Sequence, residues 1–306
     1  MPDSAPNADF AAATMMRLIA AGLARQGLSV TLRPLSTAHV PRREKQDLLG
    51  HIYASHGARA ICALADAAPH MPPEPVVEAL RRAKGLEDLM QRWQRMERFS
   101  HGRHRVLTDP QASGALRLTH QARDTGPAPS AIESLLVVSL IAILAEGATS
   151  GHVALHSDGG AVLRRDGAWQ VGDVAPAPGP VLLRVEKARA DGPTRQAGRH
   201  DAALSDLRER IVADPLRRWS VAEIAADAGL SPRTLQRRLA TQSLSVSSLI
   251  AEARLQVAAG HLCDPDGPGL AEIGFLAGYS DQAHFARAFH RAVGTTPRAY
   301  RADFRA

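Results

Sequence analysis

Residues 221–239, VAEIAADAGLSPRTLQRRL, and residues 270–289, LAEIGFLAGYSDQAHFARAF, decide how this sequence is read. Each runs a short amphipathic stretch into a glycine (Gly229, Gly278), then into a second stretch with inward apolar residues four apart. Those residues are Leu235 and Leu239 in the first copy and Phe285 and Phe289 in the second. Glycine accepts the left-handed backbone that a tight turn between two helices demands. Helices that cross steeply need a small residue at their closest approach, and Ala225 and Gly274 hold that place. An oxygen-bearing cap opens the second helix, Ser231 in one copy and Ser280 or Asp281 in the other. Pro232 falls at a first helical position, where its missing N–H costs nothing. The pattern is a helix-turn-helix met twice, with Ser247–Leu262 between the copies as a rigid connecting helix of roughly 24 Å.

The surrounding sequence divides into three zones. A chain of 306 residues predicts about two domains, and 45% hydrophobic with 22% charged residues is the composition of packed globular protein. Residues 202–306 read as almost wholly helical. Residues 186–201, EKARADGPTRQAGRHD, are polar, hold Gly and Pro, lack periodicity and read as a linker. Residues 1–185 are mixed. Phe10–Gln26 and Pro75–Phe99 carry helical spacing, Arg105–Thr108 with Ala115–Thr119 and His152–His156 with Ala161–Arg165 read as two hairpins, and a greasy helix lies between them. The expected fold is therefore an α+β amino-terminal domain joined to an all-α carboxyl-terminal domain with two helix-turn-helix units linked by a central helix.

Several kinds of chemistry are excluded at this level. The two cysteines, Cys62 and Cys263, cannot make a disulfide framework or a four-cysteine zinc site. Neither His152 with His156 nor His101 with His104 has carboxylate or thiol partners at ligand spacing, so no metal is expected. No Ser-His-Asp arrangement, phosphate-cradling glycine loop or paired carboxylate motif stands out, so no cofactor and no enzymatic activity are expected. The apolar run Ser134–Ala145 is 12 residues long, short of the roughly 20 that span a bilayer, and reads as a buried helix. The amino end, Met1–Phe10, carries Asp3 and Asp9 and no cation, the wrong start for an export signal. A cytoplasmic protein without a membrane partner is the expectation. The net charge is +6, and of 37 cationic residues only Lys45, Lys84 and Lys187 are lysines. Arginine offers a planar fork of donors that suits phosphates and guanine edges, so the charge permits a nucleic-acid partner without establishing one.

The stretch Ile273–Arg301, IGFLAGYSDQAHFARAFHRAVGTTPRAYR, joins a glycine-aromatic turn, paired aromatics Phe285 and Phe289, and Gly294-x-Thr296-Pro297-x-x-Tyr300-Arg301. In these residues, and in Leu235-Gln236-Arg237 and Arg254-Leu255, the last hundred or so residues resemble the DNA-binding domain of the AraC/XylS family of bacterial transcription regulators. Gln242-Ser243 departs from the glycine usual there. Leu86–Gln121, with the long helix and hairpin that follow, resembles the arabinose-binding-like effector domain of one branch of that family. The resemblance implies double-stranded DNA, a small-molecule effector, RNA polymerase and a second copy of the chain as partners. Trp93, Phe99 and Tyr53 suit core or ligand equally well. A purely dimerising first domain, and a DNA-repair enzyme fused to such a DNA-binding unit, are the competing readings.

With Leu235 and Leu239 turned inward, Arg233, Gln236 and Arg237 point outward together. Arginine suits guanine O6 and N7, and glutamine suits adenine N6 and N7. The second copy holds one more residue between its glycine and its inward aromatic. Aligning Phe285 with Leu235 sets Ala283 and Ala286 opposite Arg233 and Gln236. Gln282, His284 and Arg287 remain as candidate contacts, His290 or Arg291 lies nearer phosphate, and Ala283 suits a thymine methyl. The connecting helix, with the width of its neighbours, would set the two reading helices about 34 Å apart, one turn of DNA.

Overall fold

The computed structural model describes residues 10–28, 38–71, 74–100, 103–112, 114–173, 179–188, 202–241 and 244–305. The chain forms two compact units. One comprises Met1–Val30, His39–Met71 and Leu80–Gln196; the other comprises Ala197–Ala306 together with the short stretches Thr31–Ala38 and Pro72–Ala79.

The first unit opens with β1 (Phe10–Ala12), α1 (Ala13–Arg25), β2 (His39–Pro41) and α2 (Arg42–Ala63), followed by a 3-10 helix at Leu64–His70. The expected helix at Phe10–Gln26 thus begins three residues late. Phe10–Ala12 pairs antiparallel with His39–Pro41 instead, a partner too distant in sequence to leave a local signal. Next along the chain come α3 (Pro75–Arg81), which belongs to the second unit as far as Ala79, and α4 (Leu86–Ser100) of the first, a break at Gly85 dividing what periodicity alone reads as one helix. Then follow β3 (His104–Pro110), β4 (Leu116–Ala122), α5 (Ala131–Thr149), β5 (Gly151–Ser157), β6 (Val162–Arg165), β7 (Ala168–Trp169) and β8 (Val181–Ala188). The last six strands form one antiparallel sheet in the order β3-β4-β8-β5-β6-β7. Both expected hairpins are present, β3–β4 and β5–β6. Strand β8 corrects the expected boundary at Val185, because it runs to Ala188, which pairs with Gly151. The rest of the expected linker, residues 189–201, lies outside the described residues.

Helix α5 carries the greasy run. It is long and apolar enough to cross a bilayer, yet Leu135–Ala145 is buried inside the unit without a break. An apolar helix with no polar stripe needs cover on every side, and α2, α4, the 3-10 helix and the sheet provide it. Its first turn is anchored by a capping box in which Ser130 accepts from the Glu133 N–H. Buried Glu133 also pairs with Arg42 and Lys45, each at 3.0 Å. Burial alone would raise its pKa, but the charge of Lys45 and the hydrogen bonds from Arg42 and Lys45 hold it well below the usual carboxylate range. Burial likewise pushes His120 down to about 3, so that ring is neutral near pH 7.

Glu97 on α4 behaves oppositely. Its Oε1 accepts from the Val106 N–H at 2.7 Å and from Trp93 Nε1 at 2.8 Å, yet burial pushes its pKa from 4.5 up to about 7. The folded state therefore holds this proton more tightly than the unfolded chain. The resulting stability is complete below pH 4.5 and is lost as pH rises through 7. Glu97→Gln keeps the accepting oxygen without the charge. We expect it to be more stable than the parent at pH 8, by up to about 3 kcal/mol, with the gap closing near pH 4.5, as read by thermal unfolding. His120 titrates in both proteins and cancels in the difference.

The second unit is helical: α6 (Ala202–Ala213), α7 (Val221–Asp227), α8 (Pro232–Thr241), α9 (Val246–Cys263), α10 (Leu270–Leu276), α11 (Gln282–Val293) and α12 (Pro297–Phe304). Its first half closes over an aliphatic core that includes Leu207, Ile211, Ile224, Leu235, Leu239, Leu249 and Ala253. The second half is aromatic. Tyr279, Phe285, Phe289, Tyr300 and Phe304 stack in series, with successive ring centroids 5.4, 5.8, 5.2 and 4.8 Å apart. Helix α9, roughly 27 Å long, contributes Leu249 and Ala253 to the first core and also packs against α10 and α12.

Candidate nucleic-acid interface

Two helix pairs, α7 with α8 and α10 with α11, carry every candidate contact, and their turns share one design. In the first, Gly229 N–H donates to Ala226 O at 3.0 Å and Leu230 N–H to Ala225 O at 2.8 Å. In the second, Gly278 N–H donates to Phe275 O at 2.8 Å and Tyr279 N–H to Gly274 O at 2.9 Å. Both glycines adopt positive φ, 64° at Gly229 and 84° at Gly278. Ala225 is fully buried, and a Cβ on Gly274 would sit 3.2 Å from Phe285, so the small residues do mark the closest approach.

The second helices start in register. Ser231 Oγ accepts from Thr234 N–H at 3.2 Å and opens α8 at Pro232. Asp281 Oδ1 accepts from His284 N–H at 2.7 Å and opens α11 at Gln282, which settles the cap on Asp281 rather than Ser280. That backbone hydrogen bond, with a second from Ser280, holds the Asp281 carboxyl below its ordinary range and keeps the cap ionised. The inward pairs, Leu235 with Leu239 and Phe285 with Phe289, are fully or almost fully buried, at the fourth and eighth positions of their helices. The additional residue of the second copy is thereby accommodated in the turn, leaving the helix faces equivalent.

Arg233, Gln236 and Arg237 are all exposed on α8. At 100° per residue they occupy an arc of about 100°, a single outward face. On α11, Gln282, His284 and Arg287 are exposed too, but they are less concentrated. His284 and Arg287 lie one turn apart, while Gln282 at the first position is rotated from Arg287 by about 140°. The equivalent of the α8 face on α11 is Ala283, Ala286 and Arg287. His284 rests edge-on against Tyr279, with ring centroids 5.3 Å apart, and so is held in place by the turn.

One element escapes sequence reasoning. Gly278 backs onto the loop between α6 and α7, and a Cβ there would overlap the Pro215 carbonyl oxygen and lie 2.8 Å from Arg254 Nε. Arg254, on α9, donates from Nε to that same carbonyl at 3.3 Å. The turn of the second pair, the central helix and the loop ahead of the first pair therefore meet at one point. Arg254-Leu255 is legible as a motif, but nothing local says what Arg254 holds. Gln242-Ser243, the departure after α8, lies outside the described residues.

Neither cysteine is poised for chemistry. Cys62 is buried and burial pushes its thiol up to about 12, and buried Cys263 donates to Tyr300 Oη at 3.6 Å. Among the described residues no group of His, Cys, Asp or Glu could hold a metal ion. In the first unit, Trp93 belongs to the core, Tyr53 is half-buried, and the Phe99 side chain lies outside the described residues.

Two capped helix pairs of this kind define a DNA-binding fold, and residues 224–303 match the family model described as a helix-turn-helix domain. The carboxyl-terminal region is a helix-turn-helix domain of the AraC/XylS type. It is similar to the HTH-type transcriptional regulator VirS of Mycobacterium tuberculosis, 42% identical over 106 residues, or 33% of this chain and 30% of that protein. It is also similar to the transcriptional activator NphR of a Rhodococcus species, 31% identical over 84 residues, or 28% of this chain and 25% of that one. The chain thus spans between a quarter and a third of the length of these curated relatives. Among solved structures, a DNA-binding transcriptional dual regulator from Escherichia coli K-12 matches 33% of this chain and 95% of its own, at 25% identity and a TM-score of 0.31.

Proposed function

We propose that this chain is a sequence-specific, DNA-binding transcription regulator of bacterial type, responsive to a small molecule through its first unit. The observation that carries the reading is the outward face of α8, where Arg233, Gln236 and Arg237 stand together on a capped helix set off its neighbour by a glycine turn. Those side chains pair with guanine and adenine edges in a major groove. Helix α11 enters the adjacent groove with Gln282, His284 and Arg287, while Ala283 meets a thymine methyl. The concentration of donors on α8 and of alanines on α11 supports a division in which the first pair supplies most base discrimination and the second more of the general hold. The domain limits that accompany this reading run to Ala188 at the end of β8 for the effector and dimerisation domain, then residues 189–201 for the linker and 202–306 for DNA binding. RNA polymerase and a second copy of the chain are the further partners.

Selection of bound fragments from random DNA should return an asymmetric site of about 15–20 base pairs per protomer. On that site Arg233→Ala should cost roughly tenfold or more in preference over a scrambled sequence. Arg287→Ala should weaken both sequences alike and lower the salt slope by about one. Equal loss of preference from both substitutions would overturn the division of labour, and failure to select any sequence would overturn the reading. A concentration-dependent rise in unfolding temperature in a metabolite screen would identify the effector.

A further inference from the structure

A cleft of about 480 Å³ opens beside the reading face of α8, with Gln236 as one of its walls. Trp219, Val246 and Ile250 give it apolar lining, and Ser245 and Ser247 are among the hydroxyl-bearing residues that line it. The Arg217 guanidinium lies over the Trp219 ring, 4.4 Å from its centroid. Arg218, Arg233, Arg237 and Arg238 are exposed on the same stretches of chain. Two carboxylates lie close to Arg217 and both are engaged: Glu223 accepts from the Ser220 N–H at 2.9 Å and from Arg217 at 3.4 Å, and Asp214 Oδ1 accepts from the Arg217 N–H at 3.2 Å.

The width of the DNA groove says what fills this cleft. An α-helix with its side chains is about 10–12 Å across and the major groove is about 12 Å wide. A helix seated in the groove therefore has a sugar–phosphate strand pressed against each flank. On the flank that presents Gln236, the surface meeting that strand is the cleft. We propose that the cleft is a seat for one DNA strand beside the α8 half-site. Deoxyribose carbons lie on Trp219 and Val246, and a phosphate meets the Ser245 and Ser247 hydroxyls under the Arg217 charge. The inference rests on the reading of α8 given above and extends it from bases to backbone.

Ser247 is the second residue of α9, where an acidic side chain suits the helix terminus, so Ser247→Asp should fold as well as the parent. It should weaken binding to selected and scrambled DNA alike, by about five- to tenfold at low salt, because like charges would face each other at contact distance. Ser247→Ala should stay within about twofold of the parent, since only one of several backbone contacts is lost. In the intact chain, saturating DNA should quench or shift the emission of half-buried Trp219, whereas Trp93 and Trp169 are buried in the first unit. Trp219→Phe should remove that change. Undiminished binding by Ser247→Asp, a loss confined to the selected sequence, or unchanged Trp219 emission would each overturn the cleft proposal while leaving the α8 reading intact. A parent protein that selects no DNA would bring down that reading, and the cleft with it.

Discussion

Gly278→Ala should destabilise the carboxyl-terminal unit by about 3 kcal/mol or more and abolish selective DNA binding with it. Two costs combine. A side chain at φ 84° forfeits about 1–2 kcal/mol relative to glycine. The new Cβ would also overlap the Pro215 carbonyl oxygen and crowd Arg254 Nε at 2.8 Å, and a forced shift of packed backbone adds about 1–3 kcal/mol. The equivalent change in the other turn is the control. Gly229 has φ 64° and open space where its Cβ would stand, so Gly229→Ala should cost only the backbone penalty, about 1–2 kcal/mol. Denaturant unfolding of both variants measures the contrast. Equal losses would show that Gly278 is constrained by backbone conformation alone and that its contact with Pro215 carries no energy.

Glu133→Ala should cost the first unit about 3–5 kcal/mol. Arg42 and Lys45 are buried, with side chains 9% and 6% exposed, and both turn to this carboxylate. Removing it takes the carboxylate from buried Lys45 and one partner from Arg42, and deletes the side chain that closes the capping box at the head of α5. A double variant, Glu133→Ala with Lys45→Met, should recover a good part of the loss, because replacing buried ionic partners by apolar ones is far less costly than orphaning them. The pH dependence follows from the depressed pKa: the stability contributed by ionised Glu133 is complete above 4.5 and is lost as pH falls below that value. Acid unfolding should accordingly be shallower in Glu133→Ala than in the parent below that pH. Identical acid profiles would remove Glu133 from the account.

The helical half of the molecule was legible because its information is local. Apolar residues at spacings of three and four, glycines at the turns, and capping residues three positions before a satisfied N–H all lie within a few residues of the feature they specify. That sufficed to identify Leu235, Leu239, Phe285 and Phe289 as inward and Arg233, Gln236, Arg237, Gln282, His284 and Arg287 as outward, as the burial pattern bears out. Pairings between distant residues were not legible. Strand β8 inserts between β4 and β5, and Val181 joins the sheet through partners more than twenty residues away, Ser157 and Leu118. Arg42 and Lys45 look like solvated charges until folding brings Glu133 to them from about ninety residues away. The cleft beside Gln236 is hidden for the same reason, since Trp219 and Val246 approach it from opposite sides in sequence.

Because α9 lends its residues to the aliphatic core ahead of it and packs against the helices behind it, neither reader can be lifted out as a self-sufficient part. A fragment ending after α8 would lose Leu249 and Ala253 from its own interior. One beginning at α10 would lose the α9 surface against which α10 and α12 close. Outward side chains on α8 and α11 can be exchanged without disturbing either core, whereas a change on the buried side of α9 is felt on both sides at once.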